Sequence, residues 1–433
     1  VGIVRIGIDD TDSKRGMCTT YLGAVVVDRL RVQGHSLEGY PKLVRLNPNW
    51  HLKTRGNCAV SLDVMYIQSE LEDLKELVLN TVQELAELDC ETTNPGVVFY
   101  SGKSIPEVLR DFSGSVVKGI VEVEDAERVA HQIGAEYHKY KLGRGIIGAL
   151  AAIGEKFEQD RTYELLAYRT EDYRGRERVI DNESVSEMDK KTFPRTFDNI
   201  DKRSGEIRIT PHTPCPVLFG IRSQDPIAAL EAFHMVRASE PIERWIIYQT
   251  NQATDAHLLE STISDLRPVT SAAVRGKVSK NPKVIQGGHV IFSLRDGSDE
   301  IDCAAYEPTR EFRNVINKLE VGDTVRVYGG VKKKTNLPLT LNLEKIEIQD
   351  LSRIYLKVNP TCARCVKRAK SEGRGKGYQC EVCGQRFPAG SETYVEKPRE
   401  LQLGFYEVPP RARRHLAKPL IRIVKGKSAH AQQ

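Results

Sequence analysis

Asp9, Asp10 and Asp12 put three carboxylates into four residues, directly after the apolar run Val4 to Ile8 that reads as a buried strand. Like charges this close raise one another's pKa, and a divalent cation resolves the conflict. Oxygen ligands of this kind suit Mg(II), which keeps waters and bridges to substrate phosphates. Thr11 and Ser13 add hydroxyls, and Gly16, Met17, Cys18, Thr19 and Thr20 lead into the apolar helical pattern from Tyr21 to Leu30. Free backbone N–H groups and the helix dipole at such a start can receive a phosphate. A solvated acidic turn followed by an ordinary threonine cap is the plainer reading of the same residues. No Walker sequence G-x-x-x-x-G-K-S/T occurs.

A second set of candidates is sulfur. Cys362 and Cys365, then Cys380 and Cys383, form two Cys-x-x-Cys pairs with fourteen residues between them. Two such knuckles supply the four thiolates that Zn(II) prefers, with redox chemistry or an iron-sulfur cluster as the lesser alternative, and a closed set of four argues for a structural rather than a catalytic metal. The intervening VKRAKSEGRGKGYQ has no apolar core, so the metal supplies much of the local folding energy. The other five cysteines are scattered, which fits a reducing compartment better than a disulfide framework.

The elements that must position these groups exceed one core. A chain of 433 residues predicts three or four domains at about 150 residues each. Alternating strand and helix patterns in the amino-terminal half, with helical leucines from Leu71 to Leu88, predict an α+β layer such as a ferredoxin-like fold. Five short strands between Val269 and Ile348, with a helix after the third, predict an OB barrel. Lys332, Lys333 and Lys334 fall on the loop joining its last two strands, where such barrels grip a nucleic-acid backbone. The apolar runs are too short to span a bilayer and no secretory signal is visible, so a cytoplasmic location is expected.

Charge separates the two ends. From Leu351 onward 18 Lys and Arg face 6 Glu and no Asp, a net +12; the total of +5 leaves −7 on residues 1–350. Arg411, Arg413 and Arg414 open a tail, RARRHLAKPLIRIVKGK, that reads as a polyanion-binding segment ordered on RNA.

Further segments read as site loops. NPNWHLKTRGN (47–57) clusters the donors Lys53, Arg55 and Asn57; GRGIIGALAAIG (143–154) packs glycines at a helix start or allows close helix packing; WIIYQTNQATDAHL ends a strand in amides, hydroxyls and an acid. Together with IGIDDTDSKRGMCTTYLG, CETTNPGVVF, HTPCPVLFGIR, an OB segment and four cysteines, these runs closely resemble the archaeal 2-agmatinylcytidine synthetase family over almost the whole chain.

The resemblance implies a multidomain α+β protein: a kinase-like catalytic domain (1–60 and 125–195), a ferredoxin-like α+β domain (61–124 and 196–262), an OB-fold β-barrel (266–350), and a four-cysteine zinc ribbon with the basic tail (351–433). It implies ATP, agmatine and the minor isoleucine tRNA with anticodon CAU as substrates, with Mg(II), and no obligate protein partner. Asp9, Asp10 and Asp12 would hold Mg(II) and phosphates. A threonine of the CTTY run, Thr19 or Thr20, would be phosphorylated. Asp10, Thr11, Ser13, Gly16, Lys53, Arg55, Asn57 and Gly145 would contact the nucleotide; Asp255, Glu240, Thr250 and Asn251 are candidates for agmatine or the base; Lys332 to Lys334, Arg411, Arg413 and Arg414 are candidates for tRNA. Cys215 stands where an acid is expected before PVL, which puts a charged role there in doubt. An adenylating enzyme would carry a PP-loop S-G-G-x-D-S, which is absent. A non-catalytic OB and zinc-ribbon RNA-binding protein is the remaining alternative.

Overall fold

The apolar run before the aspartates is the strand Gly2–Asp9, with Val4, Ile6 and Ile8 wholly buried. The structure, a computed structural model, describes residues 2–423. In the amino-terminal sheet the order is Glu136–Lys139, Gly96–Tyr100, Gly2–Asp9, Cys58–Tyr66, Lys42–Arg45, with all neighbours antiparallel. Helices Thr19–Val32 and Leu71–Leu85 bury one face, and Glu107–Lys118, Val123–Ile133 and Gly145–Gly154 the other. Glycine permits the last of these to lie against the sheet: a Cβ on Gly7 would sit 2.0 Å from the Ala149 carbonyl oxygen.

This sheet continues into a second one. Lys42 and Leu43 pair in parallel with Gln249 and Thr250, and the next strands are Ile242–Thr250, Thr162–Arg169, Val217–Ser223 and Thr196–Phe197. In chain order that is fourth, first, third, second, the antiparallel ferredoxin-like arrangement, with helices Asn182–Thr192 and Pro226–Met235 packed on it. Its strands all come from residues 162–250, whereas the expected division assigned this layer 61–124 and 196–262. The physical reason is the join at residues 42–43, a pairing between distant segments that periodicity does not reveal.

The barrel has the expected form. Strands Ser271–Ile285, His289–Asp296, Asp299–Ala305, Leu339–Asp350 and Thr324–Lys333 follow one another, and the last closes on the first through Ser271 to Lys277 against Thr324 to Gly330. Helix Glu311–Ile316 sits between the third and fourth strands in sequence. Beyond it lie an antiparallel strand pair, Tyr355–Val358 with Thr393–Glu396, and, between these two in sequence, a small three-stranded ribbon.

The basic tail is not a free appendage over its described length. Strand Gly404–Glu407 pairs with Leu339–Asp350 on the barrel, and Leu416 is buried in the amino-terminal core beside Val44 and Leu46. Lys425 and Lys427 of that tail lie outside the described residues. Among the described residues no helix is long and apolar enough to cross a membrane.

Candidate active site and nucleic-acid interface

The strand Gly2–Asp9 delivers its terminal carboxylate to the start of helix Gly145–Gly154, where it lies against Gly148. A Cβ there would fall 1.9 Å from Asp9 Oδ2. Burial, and next the neighbouring Asp10, hold the Asp9 carboxyl well above the usual carboxylate range. Asp10 has a left-handed backbone, φ 55°. Its carboxylate accepts from Arg144 Nε at 3.0 Å, yet burial outweighs that cation and pushes it up to about 7. Asp12 turns the other way: its Oδ1 accepts from the Thr19 backbone N–H at 2.7 Å and lies 3.3 Å from Arg55 Nη2. Asp12 thus caps helix Thr19–Val32, the role the plainer reading had given a threonine.

The loop between them is cross-braced. Thr11 Oγ1 donates to Thr19 Oγ1 at 3.1 Å, Ser13 Oγ accepts from the backbone of Arg15 and Gly16, and Arg55 Nη1 donates to the Ser13 carbonyl at 2.9 Å. Asn57 Nδ2 donates to the Asn47 carbonyl at 2.8 Å, which closes the 47–57 loop on itself. Gly145 abuts Asp9 and Gly96, where a Cβ would lie 2.5 Å from the Asp9 carbonyl oxygen.

Two adjoining cavities result. The smaller, about 90 Å³, holds Asp9, Asp10, Asp12, Thr19, Lys53, Arg55, Asn57, Arg144 and Gly148, with Trp50 and Leu52 over it. The larger, about 640 Å³, is lined by Thr20, Arg45, Glu164, Asp198, Arg222, Lys332, Arg414 and His415. Asp12, Lys53 and Arg55 border both. Lys53 is half-buried and near Arg414 and Lys332, and burial first and those cations second bring its ammonium down to about 8.

Several expected residues do other work. Glu240 is buried in a two-pronged pair with Arg169, Nη2 to Oε2 at 2.7 Å. Asn251 bonds both backbone polar groups of Arg45, at 2.8 and 3.0 Å, and Thr250 Oγ1 accepts from Gln252 N–H. Asp255 takes Lys345 Nζ at 2.6 Å and the Lys418 backbone N–H at 2.7 Å. None of the four lines either cavity. They lock the strand end and dock the carboxy-terminal segment, outside the linings of both cavities.

The same holds for two tail arginines expected to bind tRNA. Arg411 pairs with Asp201 at 2.8 Å, and Arg413, buried, pairs with Asp198 and with Glu407 at 2.6 Å. Their charge is spent internally. Arg414 also has an acidic partner, Glu344 at 3.3 Å, but it reaches Asn49 at 2.7 Å and borders the larger cavity with Lys332, while Lys333 and Lys334 are exposed.

Arg144, Arg45, Arg222 and His415 escaped the sequence reading. Arg144 was in view inside GRGIIGALAAIG, a lone cation between glycines; the other three come together only through the sheet join and the returning tail.

The four cysteines converge as their spacing requires. Their sulfurs all lie within 4.8 Å of one another, with Cys362 Sγ 3.5 Å from Cys383 Sγ. The knuckle turns are formed too, with Val366 N–H donating to the Cys362 carbonyl at 2.8 Å and Gly384 N–H to that of Cys380 at 2.9 Å. Four converging sulfurs in tight knuckles fit Zn(II).

A carboxylate cleft opening into a basic cavity, walled by an OB barrel and followed by a thiolate ribbon, defines a multidomain α+β protein built to bring a nucleic acid to a phosphate-handling site. Sequence models of this kind match the chain in series: the TiaS TCKD domain over residues 5–142, the TiaS FLD domain over 143–257, an OB-fold nucleic acid binding domain over 265–349 and the TiaS C-terminal zinc ribbon domain over 359–401. The isoleucine-tRNA 2-agmatinylcytidine synthetase TiaS of Methanocaldococcus jannaschii is 46% identical over 421 residues, covering 96% of this chain and 97% of its own. That of Archaeoglobus fulgidus is 44% identical over 429 residues, covering 98% and 99%. A crystal structure of TiaS in complex with an isoleucine tRNA and ATP superposes with a TM-score of 0.90 at 41% identity, over 100% of this chain and 99% of that one. One of TiaS with that tRNA, AMPCPP and agmatine gives 0.87 at 40%, over 99% of both. The chain belongs to the TiaS family.

Proposed function

We propose that this chain uses ATP to join agmatine to the wobble cytidine of the minor isoleucine tRNA, anticodon CAU, giving agmatidine and the reading of AUA. The observation that carries this is that Asp12, Lys53 and Arg55 border both the carboxylate cleft and the larger cavity, so that phosphate chemistry and a nucleobase can meet at these residues.

The chemistry needs such a meeting. The C2 oxygen of cytidine is a poor leaving group. Transfer of a phosphoryl group from ATP forms an O–P bond at that oxygen and breaks the P–O bond to the nucleotide. The agmatine nitrogen then attacks C2, the C2–O bond breaks, phosphate departs and the amine loses a proton. Positioning and electrostatics supply most of the rate in such transfers. Arg144 fixes Asp10, Lys53 and Arg55 present cations to phosphate oxygens, and Thr19, which borders the smaller cavity with the three aspartates, is the threonine placed to accept a phosphoryl group; Thr20 faces the larger cavity. Thr11, Ser13, Gly16, Asn57 and Gly145 shape the loop that receives the nucleotide. Asp9 and Asp10, crowded and buried, and Asp12 beside them would hold Mg(II), which when bound neutralises phosphate charge.

Zn(II) at Cys362, Cys365, Cys380 and Cys383 keeps the ribbon folded, and Lys332, Lys333, Lys334 and Arg414 are the cations that face RNA. The wobble base leaves its stack to enter the larger cavity, as base chemistry demands. We place the reaction in the cytoplasm.

The test is incorporation of labelled agmatine into the isoleucine tRNA transcript with ATP. Wild type labels the RNA; Asp9→Ala binds the tRNA and does not. An unlabelled transcript at saturating substrates would leave a non-catalytic RNA-binding protein as the better reading.

A further inference from the structure

The wall of the larger cavity formed by Arg45 and His415 is unlike the rest of it. Arg45, at the end of strand Lys42–Arg45, spends Nε on Gln252 at 3.1 Å and Nη2 on Glu164 at 2.8 Å. Nη1 is left over. His415 arrives from the other end of the chain, where its carbonyl accepts from Ala253 N–H at 2.7 Å and Leu416 anchors behind it in the core. Arg222 Nη2 lies 3.3 Å from His415 Nδ1. A guanidinium can only donate, so Nδ1 must accept, and the proton of the neutral ring sits on Nε2.

These two remaining donors stand close together. Both lie beside Gly56, which borders the larger cavity with them: a Cβ there would lie 2.8 Å from Arg45 Nη1 and 3.3 Å from His415 Nε2. The ring cannot easily become a cation in this place. Arg45 first, then burial, Arg222 and Lys53 hold its pKa well below the usual histidine value. The pair is therefore a guanidinium N–H beside a fixed imidazole N–H at neutral pH.

We propose that Arg45 and His415 form a donor pair that takes the acceptor edge of the everted cytosine, N3 and O2, and so positions the oxygen that is to be activated. The inference rests on the proposed function and adds the recognition element to it. Cytosine offers two adjacent acceptors on that edge, whereas uracil carries a proton on N3 and would set donor against donor. Agmatine ends in donors at both termini and is likewise turned away from this wall. A phosphate would also suit two donors, but it would draw on the cations nearby and show itself through salt. His415 meets the base directly, held by Arg222 and by the turn at Ala253.

The test uses the full-length protein with His415→Leu, His415→Gln and Gly56→Ala. Glutamine can present an amide N–H near the lost Nε2 proton; leucine cannot. The readouts are kcat/KM for the tRNA in agmatine incorporation, tRNA affinity across a salt series, and the fluorescence of a transcript with pyrrolocytidine at the wobble position. We expect His415→Leu to lose about tenfold or more in kcat/KM and the fluorescence change on binding, with tRNA affinity within twofold of wild type. His415→Gln should recover most of both, and Gly56→Ala, which crowds the pair from the opposite side, should resemble His415→Leu. Should His415→Leu not fold, Gly56→Ala and His415→Gln carry the comparison. Wild-type values for His415→Leu, or equal losses in the Leu and Gln variants of unchanged melting temperature, would overturn the donor role. So would a defect appearing chiefly as weaker, less salt-dependent tRNA binding, which marks a phosphate contact. A wild-type protein that incorporates no agmatine sinks the functional reading instead, and the two failures are told apart by that control.

Discussion

The acidic segment Asp9–Ser13 and the basic segment Arg411–Lys418 stand out equally as charge runs, and the fold treats them in opposite ways. Asp9 and Asp10 remain crowded at a cavity edge, with carboxyls pushed upward because burial outweighs the one cation, Arg144, that attends them. Arg411 and Arg413 have partners at every turn: Asp201, Asp198 and Glu407. One segment retains unresolved electrostatic strain at the site, and the other uses its charge as mortar between barrel and catalytic body. A charge run in a sequence reports a density of charge. Whether that charge is available to a ligand depends on what the fold places opposite it.

The sharpest way to break this contrast is Asp9→Asn. Removing the crowded carboxylate relieves the strain, so the metal-free variant should melt above wild type, while agmatine incorporation falls by about 10³-fold or more because the Mg(II) that would neutralise phosphoryl charge loses a ligand. Calorimetry and the incorporation assay read the two effects. A variant that keeps a tenth of its activity would remove Asp9–Ser13 from the site.

Arg413→Ala probes the opposite case. Leaving Glu407 without its ion pair, and Asp198 with only Arg222 at 3.4 Å, should cost about 1–3 kcal/mol in urea unfolding, with the salt dependence of tRNA binding unchanged. Replacing Asp198 as well should restore part of the loss. An exposed phosphate contact would give the reverse pattern, a shallower salt slope with no loss of stability.

Much of this arrangement was legible before any coordinates. The barrel follows from two-residue periodicity with a helix after the third strand, and the zinc knuckles follow from spacing, because both are local signals. The acidic loop and Lys53, Arg55 and Asn57 were found because a strand end and a loop dense in donors are local too. What escaped was everything made by distant chain segments: the parallel join of Lys42 and Leu43 to Gln249 and Thr250, the single-stretch ferredoxin-like layer, and His415 in the larger cavity. The internal partners of Asp255 and Asn251 escaped for the same reason. Their polar clustering is real, but it serves to dock the tail and a strand end, and a sequence does not show which partner a polar turn will find.

Lys53 lies between the two regimes, a cation beside a phosphate site but pressed by Arg414 and Lys332. Its folded pKa of about 8 is below the ordinary lysine value, so the ammonium is intact at neutral pH and is lost as pH rises through about 8. On free enzyme the kcat/KM for ATP should fall about tenfold between pH 7 and pH 9 for this reason, and Lys53→Arg should move the fall beyond pH 10. A profile that stays flat across this range in wild type would mean that Lys53 meets no phosphate.

The smallest effects belong to Lys333 and Lys334, and they complete the contrast with Arg413. Both are exposed at the end of strand Thr324–Lys333 and in the loop beyond it, with no ion pair among the described residues. A surface lysine gives up little on removal, so each alanine variant should unfold within about 0.5 kcal/mol of wild type. Bound to RNA, each would displace about one counterion, so log Kd against log salt should lose about one unit of slope for each phosphate contact removed. Arg413→Ala should change stability and leave that slope alone; Lys333→Ala and Lys334→Ala should change the slope and leave stability alone. If the lysine variants bind tRNA with the wild-type salt dependence, the RNA path crosses the barrel elsewhere, and the basic wall of the larger cavity, Lys332 with Arg414, becomes the only part of this face that meets the backbone.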